Sequence, residues 1–285
     1  SNIEHPSVAD SFKELEARGF EVVTLNADEK GYINLEELER EVDENTILVS
    51  IMYVNNEVGT VQPIEKMAEI IKSKNKNCIF HTDCVQAFGK HPINGRHFDA
   101  ISVSGHKIHC PKGVGVLYLR KGVRAKNLHF GGGQEKGFRP GTENTGSIVA
   151  MGLGAEIAKR DLEKNFEKVK AVKEKLMTIC DILPDVYVNG DSENGSPYIL
   201  NLSFEGVKGE VLLHALENYE IYVATGSACS SRAKEKKKIV DYLIDGRGSS
   251  TVRFSFDCEN TVEEAEKAIE VLKEQVPMLR MFQPR

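Results

Sequence analysis

The sequence predicts an α/β protein with a mainly parallel sheet, followed by a smaller α/β domain. A continuous apolar, β-rich run at residues 46–52 is typical of a strand that is buried on both faces of a parallel sheet. An amphipathic helix at residues 64–74 and a second apolar run at residues 79–83 follow it, which is the order of a βαβ unit. Shorter strand patterns recur towards the C-terminus, near residues 186–189 and 199–202, and they predict the second domain.

The remaining elements follow from the same periodicities. A helix is predicted at residues 8–18, ended by Gly19, and a strand at residues 20–25. An exposed helix is predicted at residues 34–39, and a helical region extends from 147 to about 180. The smaller domain is expected to add a helix, two more strands and a terminal helix, at about residues 209–218, 221–223, 251–256 and 261–279. We expect the larger domain to span residues 1–160 and the smaller one residues 161–285.

Composition narrows the possible functions. The chain has 285 residues, of which 40% are hydrophobic and 28% charged, so one large or two unequal globular domains are expected. The net charge of -6 argues against direct binding to nucleic acid. No apolar run has the length of a membrane span and no leader pattern is seen, so we predict a cytoplasmic protein without membrane association. The six cysteines are far apart and form no C-x-x-C pair, which predicts neither a metal site nor a disulfide framework.

A tight polar turn around Lys107 is the strongest indication of chemistry. Ser104 and His106 precede this lysine, and a Pro-Lys-Gly-x-Gly bend follows it. Hydroxyl, imidazole and backbone N–H groups in such a turn can hold the phosphate of pyridoxal 5'-phosphate (PLP). The lysine amine beside them can then bond to the aldehyde of that cofactor. For Lys107 taken by itself, an ordinary solvated lysine is the alternative.

A second cluster fits the same cofactor. The apolar run at residues 79–83 ends in Asp83, and Gln86 follows it closely. A carboxylate at the end of a buried strand can pair with the protonated pyridine nitrogen of PLP, which makes the ring an electron sink. Gln86 can donate a hydrogen bond to the phenolic oxygen of the ring. Asp83, Gln86 and Lys107 together predict a PLP site.

Two more residues have side chains suited to a reaction. Cys229 lies in a run of small residues, and such a run leaves the backbone mobile, as a reactive thiol that has to move requires. The composition of this loop alone also allows a structural cysteine. Arg253 lies in a β-rich run. Its planar guanidinium can bind a substrate carboxylate through two hydrogen bonds, and an ion pair with an acidic side chain is the alternative.

These features occur in an order that resembles the group I (NifS/IscS-like) cysteine desulfurases of the class V aminotransferase superfamily. The resemblance covers essentially the whole chain and rests on segments 4–8, 54–59, 81–86, 104–107, 131–135, 139–142, 226–231 and 252–255. It implies the PLP-dependent transferase fold of type I, with residues 1–160 binding the cofactor. It also implies a reaction in which L-cysteine loses its sulfur to an enzyme cysteine and leaves as L-alanine.

The resemblance implies a role for each residue of the site. Lys107 holds the cofactor, Cys229 attacks the substrate sulfur, and Arg253 binds the substrate carboxylate. His5 stacks on the pyridine ring and shares proton transfer with Lys107, and Asn56 contacts the phenolic oxygen or the substrate. The implied phosphate ligands are Ser104, His106 and, from a second subunit, Thr142. The protein is therefore expected to be a homodimer that delivers sulfur to an iron–sulfur scaffold or another acceptor protein.

Three departures from the family pattern accompany the resemblance. The sequence starts near His5, without the glycine/threonine phosphate-binding turn that precedes this segment in the family, so an N-terminally incomplete PLP-binding domain is expected. Cys110 stands where the family usually has glycine, which can alter the bend or merely add a thiol. Beyond Ser231 the usual sequence is not clearly matched.

Two other hypotheses stay open. One is another class V PLP enzyme, either an aminotransferase or a selenocysteine lyase. The Gly-Ser-Ala-Cys segment argues against an aminotransferase, because transamination needs no loop thiol. The other is a truncated sulfur-delivery partner without catalytic activity.

Overall fold

A computed structural model describes residues 1–226, 239–243 and 246–282. Its contacts divide the chain into two compact units. The large-sheet unit comprises Val42–Tyr53 and Ile64–Leu162, and the small-sheet unit comprises Ser1–Glu41, Val54–Pro63 and Glu163–Arg285. A division by contacts does not define functional domains, so the limits 1–160 and 161–285 stay a prediction.

The described residues form helices and strands in the following order. The α-helices are α1 (Pro6–Ala17), α2 (Leu35–Glu41), α3 (Ile64–Lys74), α4 (Thr145–Arg160), α5 (Leu162–Met177), α6 (Ile179–Ile182), α7 (Gly209–Glu217), α8 (Ile239–Leu243) and α9 (Val262–Met281). The strands are β1 (Leu48–Ser50), β2 (Ile79–Asp83), β3 (Ala100–Ser104), β4 (Gly115–Leu119), β5 (Val186–Asn189), β6 (Ile199–Phe204) and β7 (Thr251–Ser255). Short 3-10 helices lie at Gly105–Ile108, Gln134–Gly137 and Gly248–Ser250.

The large-sheet unit contains a four-stranded sheet in the order β1-β2-β3-β4. β1, β2 and β3 are parallel, and β4 pairs with β3 in the antiparallel direction. α3 buries Ile64, Met67 and Ile71, one apolar stripe of an amphipathic helix. The predicted mainly parallel sheet and the predicted helix at residues 64–74 are confirmed.

The small-sheet unit contains an antiparallel sheet in the order β5-β6-β7. Every residue of the central strand β6 is buried. Apolar side chains of α5, α7 and α9 complete its core, among them Leu176, Leu212 and Leu272. The small-sheet unit thus has its own sheet and its own hydrophobic core.

Two predicted strands are wrong. Residues 20–25 form no strand, and Phe20 and Val23 are about half exposed, at 49% and 50%. Residues 221–223 form no strand either, and only the neighbouring Ala224 makes an isolated bridge, to Arg253. A β-rich run becomes a strand only where a neighbour offers a ladder of hydrogen bonds, and these two segments have none.

The helical region predicted from residue 147 to about 180 is divided into α4, α5 and α6. In the described part of the chain, no helix is long and apolar enough to cross a bilayer.

Candidate active site

The predicted cofactor ligands of the large-sheet unit lie at one edge of its sheet. β2 and β3 are parallel neighbours, with Asp83 opposite Ser102. Asp83 ends β2, Ser104 ends β3, and the 3-10 helix that follows directly carries His106 and Lys107. Because the carboxyl ends of adjacent parallel strands lie side by side, the topology gathers these residues where α/β proteins bind their ligands.

Backbone hydrogen bonds of Gly105 fix the turn that carries Lys107. The Gly105 N–H donates to the Val114 carbonyl (2.9 Å), and the Gly105 carbonyl accepts from the Cys110 N–H (3.1 Å). A Cβ at Gly105 would lie 2.8 Å from Val114 Cγ1 and 3.0 Å from Met151 Sδ, so only glycine fits between Val114 and α4 without a shift. Lys107 itself is half-buried.

Cys110 packs against α4. Its Sγ lies 3.6 Å from the Ala150 carbonyl oxygen, and a Cβ at Gly154 would overlap this sulfur. Burial raises the pKa of the Cys110 thiol, which makes it less reactive. Cys110, which stands where the family usually has glycine, therefore fills a gap beside α4.

Ser104 and His106 form a hydrogen-bonded pair. Ser104 Oγ lies 2.8 Å from His106 Nδ1, and the pair is exposed. A hydroxyl and an imidazole held together beside a helix turn suit an anion such as a phosphate group.

Asp83 and Gln86 each retain an unused polar atom. Asp83 is only 7% exposed, and its Oδ1 accepts from the Val85 N–H (2.9 Å), whereas its Oδ2 accepts no hydrogen bond from the described residues. A carboxylate oxygen without a donor, on a residue that is almost buried, fits the N–H of a pyridinium ring. Gln86 Oε1 accepts from Lys90 Nζ (3.2 Å), and its Nε2 has no acceptor in the described part of the chain. The residues present therefore fit PLP.

His81 is a neighbour of Asp83 that the sequence analysis did not single out. Ser50 Oγ lies 2.7 Å from its Nδ1 and Ser102 Oγ lies 2.8 Å from its Nε2, so a polar row crosses β1, β2 and β3. Burial lowers the pKa of His81, and the charge of Asp83 opposes this shift. His81 and Asp83 share one face of β2, because alternate residues of a strand point the same way. The His-x-Asp spacing was the signal that could have revealed this row.

Arg253, on β7 of the small-sheet unit, makes an ion pair. Its Nη1 donates to Glu57 Oε1 (2.9 Å) and to the Asn56 carbonyl (3.0 Å). Its Nε is buried without a partner, and its Nη2 makes no hydrogen bond to the described residues. The ion pair that the sequence left as an alternative is therefore present, and one edge of the guanidinium is still unused.

The turn that contains Glu57 is built by Asn55. Asn55 is fully buried, its Oδ1 accepts from the N–H groups of Glu57 and Val58 (both 2.9 Å), and its Nδ2 donates to the Ile3 carbonyl (3.0 Å). Asn56 Nδ2 donates to Glu57 Oε1 (3.1 Å), while its Oδ1 is buried and has no partner among the described residues. Asn55 is thus structural, and Glu57 is a second residue that sequence reasoning missed.

His5 caps α1. Its Nδ1 accepts from the Ser7 N–H (3.2 Å), and the side chain is exposed. Since a backbone N–H can only donate, Nδ1 is the unprotonated nitrogen, and Nε2 carries the proton of the neutral ring. The Nε2–H group of His5 can therefore donate a hydrogen bond.

Thr142 lies in the exposed loop that precedes α4. Cys229 lies outside the described residues. The chain that leads to it leaves from beside Arg253, because Ala224 and Arg253 exchange backbone hydrogen bonds of 3.0 Å and 2.7 Å. Within the described ranges, no group of His, Cys, Asp and Glu is arranged to hold a metal ion.

The large sheet and its carboxyl edge define the class of protein. Lys107 offers an amine for the aldehyde of one cofactor, and Asp83 offers a carboxylate oxygen for its pyridine nitrogen. The Ser104–His106 pair suits the phosphate of the same cofactor. On this α/β scaffold they are the features of a PLP-dependent transferase of fold type I.

Comparison with known proteins narrows the class. Residues 1–268 match the family described as Aminotransferase class-V. The chain is 41% identical to the "NifS/IcsS protein homolog" of Lactobacillus delbrueckii subsp. bulgaricus, over 96% of this chain and 72% of that protein. It is 40% identical to the cysteine desulfurase of Nostoc sp., over 100% of this chain and 72% of that protein.

A solved structure titled "NIFS-LIKE PROTEIN" matches with a TM-score of 0.90 and 37% identity, over 98% of this chain and 74% of that one. The chain therefore belongs to the aminotransferase class-V family, whose enzymes use PLP. Within that family it is a member of the NifS/IscS-like group.

Proposed function

We propose that this protein is a PLP-dependent cysteine desulfurase, which moves the sulfur of L-cysteine to Cys229 and releases L-alanine. The observation that carries the proposal is the unused edge of Arg253, whose backbone is bridged to Ala224 on the segment leading to Cys229. The proposed binding group for the substrate carboxylate, Arg253, is thus hydrogen-bonded to Ala224, which begins the segment that leads to Cys229. The similarity to the cysteine desulfurase of Nostoc sp. supports the same reaction.

The cofactor would be held by the residues at the carboxyl edge of the large sheet. Lys107 would bond to the aldehyde, Asp83 Oδ2 would accept from the pyridinium N–H, and Gln86 Nε2 would donate to the phenolic oxygen. The other proposed ligands are His5, Asn56, Ser104, His106 and Thr142 of the partner subunit. When bound, PLP supplies an electron-withdrawing ring that accepts negative charge from the substrate α-carbon.

The residues of the chain perform the remaining steps. Nε and Nη2 of Arg253 donate to the α-carboxylate of L-cysteine and orient it. Lys107 Nζ takes the α-proton, and Lys107 or His5 carries protons in the later steps. The thiolate of Cys229 attacks the substrate sulfur. An S–S bond forms as the Cβ–S bond breaks, the electron pair returns to carbon, and protonation completes the methyl group of L-alanine. The sulfur stays on Cys229 as a persulfide, so no external oxidant is needed.

We further propose that the protein is a cytoplasmic homodimer that passes this sulfur to an iron–sulfur scaffold or another acceptor protein. Thr142 lies in an exposed loop, which leaves it open to a contact with a second subunit, as the family resemblance implies. Free thiols at Cys78, Cys84, Cys110, Cys180 and Cys258 suit a reducing compartment. Sedimentation at twice the chain mass of 31.7 kDa would support the dimer, and a monomer that is active with bound PLP would exclude it.

A thiol substitution tests the reaction. Cys229→Ala is expected to abolish the formation of alanine and sulfide from L-cysteine in the presence of a dithiol, while the visible absorption of bound PLP is retained. Cys258→Ala, which changes a partly exposed thiol of the same unit, is the matched control and should keep the activity. Sulfide release that survives in Cys229→Ala would show that Cys229 is not the nucleophile.

A chemical label tests the cofactor site. Borohydride reduction followed by peptide mapping should place the pyridoxyl group on Lys107 and on no other lysine. Bound PLP without sulfide release would instead favour another class V enzyme, an aminotransferase or a selenocysteine lyase. Failure to bind PLP would favour a non-catalytic sulfur-delivery partner.

A further inference from the structure

Glu57, in the turn over residues 55–59 of the small-sheet unit, is held by hydrogen bonds to four residues. Its side chain is only 15% exposed, and its Oε1 accepts from both Arg253 Nη1 (2.9 Å) and Asn56 Nδ2 (3.1 Å). Its backbone carbonyl accepts from Asn201 Nδ2 (3.1 Å), and its N–H donates to Asn55 Oδ1 (2.9 Å). One carboxylate oxygen therefore sets the positions of two side chains that are proposed to meet the substrate.

The atoms that Glu57 leaves unused are complementary to an amino acid. A carboxylate pairs with an arginine most strongly through two parallel N–H bonds from one edge of the fork. Glu57 and the Asn56 carbonyl occupy Nη1, which leaves the edge formed by Nε and Nη2, and that Nε is buried without a partner. Asn56 Oδ1 is likewise a buried acceptor without a donor. Buried polar atoms without partners are costly, and they are common where a ligand supplies the missing bond.

We propose that Glu57 is a positioning residue for the amino-acid substrate. It anchors Nη1 of Arg253, so that Nε and Nη2 remain for the α-carboxylate. It also fixes the amide of Asn56, so that Oδ1 remains to accept from the α-amino group. This role rests on the proposed function, because an α-amino acid is the ligand with both groups.

Binding of the product tests this role without a reaction. Calorimetry compares L-alanine with ethylamine, which lacks the carboxylate, on the PLP-loaded dimer. Glu57→Ala should weaken L-alanine binding by about tenfold, since both the guanidinium and the Asn56 amide lose their anchor, and should weaken ethylamine binding by only about threefold, since ethylamine uses the Asn56 amide alone. Glu57→Gln keeps an oxygen that can accept both hydrogen bonds, and it should restore L-alanine binding to within about threefold of the wild type.

Kinetics separate positioning from a general structural effect. Glu57→Ala should raise KM for L-cysteine about tenfold while kcat changes by less than about twofold. The matched control is Glu205→Ala, which removes the partner of Arg247 (3.4 Å) in the same unit and should leave L-alanine binding unchanged. Glu57→Ala that binds L-alanine as well as or better than the wild type would overturn the proposal. So would a variant whose kcat falls together with its Tm.

The two proposals fail in different ways. A wild type that prefers L-alanine over ethylamine through Glu57 but forms no sulfide would support the positioning role and overturn the desulfurase. Normal sulfide formation with an unchanged KM in Glu57→Ala would overturn only the positioning role.

Discussion

At the scale of single residues, Lys173 is a lysine outside the candidate site that is almost fully buried. It lies on α5 with 5% exposure, and its Nζ donates to the Ser196 carbonyl (2.9 Å). Burial lowers the pKa of Lys173 from 10.5 to about 8, although the charge of Asp191 opposes the shift. The Ser196 N–H in turn donates to the Gly59 carbonyl (2.8 Å), so Lys173 supports the turn that carries Asn56 and Glu57.

The lowered pKa of Lys173 predicts a rise of stability with pH. Between about pH 8 and pH 10.5 the unfolded chain binds more protons at this lysine than the folded chain, so its contribution to the free energy of unfolding increases with pH. Below pH 8 the buried charge costs about 3 kcal/mol. Lys173→Met should therefore stabilise the protein at pH 7 and reduce the rise above pH 8, as measured by urea unfolding.

Lys170→Met on the exposed part of the same helix is the control, because Lys170 Nζ reaches Glu174 only at 3.9 Å and is 50% exposed. It should change the stability by less than about 0.5 kcal/mol at every pH. The same pH profile for Lys173→Met and the wild type would contradict the assignment.

At the scale of structural elements, the turn over residues 55–59 is controlled by packing and by glycine. Gly59 has a φ of +76°, and a Cβ at this position would lie 3.1 Å from Ile199 Cβ and 3.2 Å from the Ile199 carbonyl oxygen. Both the backbone angle and the closeness of β6 therefore require glycine. The turn that carries the substrate residues is seated on the central strand of the small sheet.

Gly59→Ala should lower the free energy of unfolding by about 2–3 kcal/mol, since a left-handed angle and a tight contact act together. Gly19→Ala is the control at a φ of +90° with nothing within 4 Å of the added Cβ, and it should cost about 1 kcal/mol. Denaturant unfolding of both variants measures the difference. Equal losses would show that the contact with β6 adds nothing to the cost.

At the scale of the whole molecule, the two units have separate sheets, and the large one is tied together by Asp99. This carboxylate is 5% exposed, its Oδ2 accepts from Lys72 Nζ (2.5 Å) and the Phe80 N–H (2.9 Å), and its Oδ1 lies 3.3 Å from Arg120 Nε. The bonds connect α3, β2 and the chain just beyond β4. Removing the charge of Asp99 takes the carboxylate partner away from both Lys72 and Arg120.

Asp99→Asn should therefore destabilise the large-sheet unit by about 3 kcal/mol. Hydrogen exchange should show faster exchange of the amides in β1–β4 and unchanged exchange in β5–β7. Asp10→Asn, which breaks an exposed pair with Lys13 (2.8 Å), is the control and should cost less than about 1 kcal/mol. Equal acceleration in both sheets would mean that the two units open together.

Much of this protein could be predicted from local signals in the sequence. The parallel strands, α3 and the turn around Lys107 follow from residue periodicity and from glycine and proline positions, which act over a few neighbouring residues. Asp83 was placed correctly at the end of β2 for the same reason. The family resemblance was also confirmed, because it depends on the order of short segments.

What the sequence by itself determined is the order of most elements, the family and the residue types suited to PLP. Tertiary structure alone decided that residues 20–25 find no strand partner, that Glu57 pairs with Arg253, and which edge of Arg253 is left for a ligand. The reason is distance along the chain: Glu57 and Arg253 are 196 residues apart, and their contact depends on how a turn packs against a sheet. Local periodicity does not predict such a distant pair. Only the folded chain shows that the carboxylate of Glu57 holds the side chains of Arg253 and Asn56.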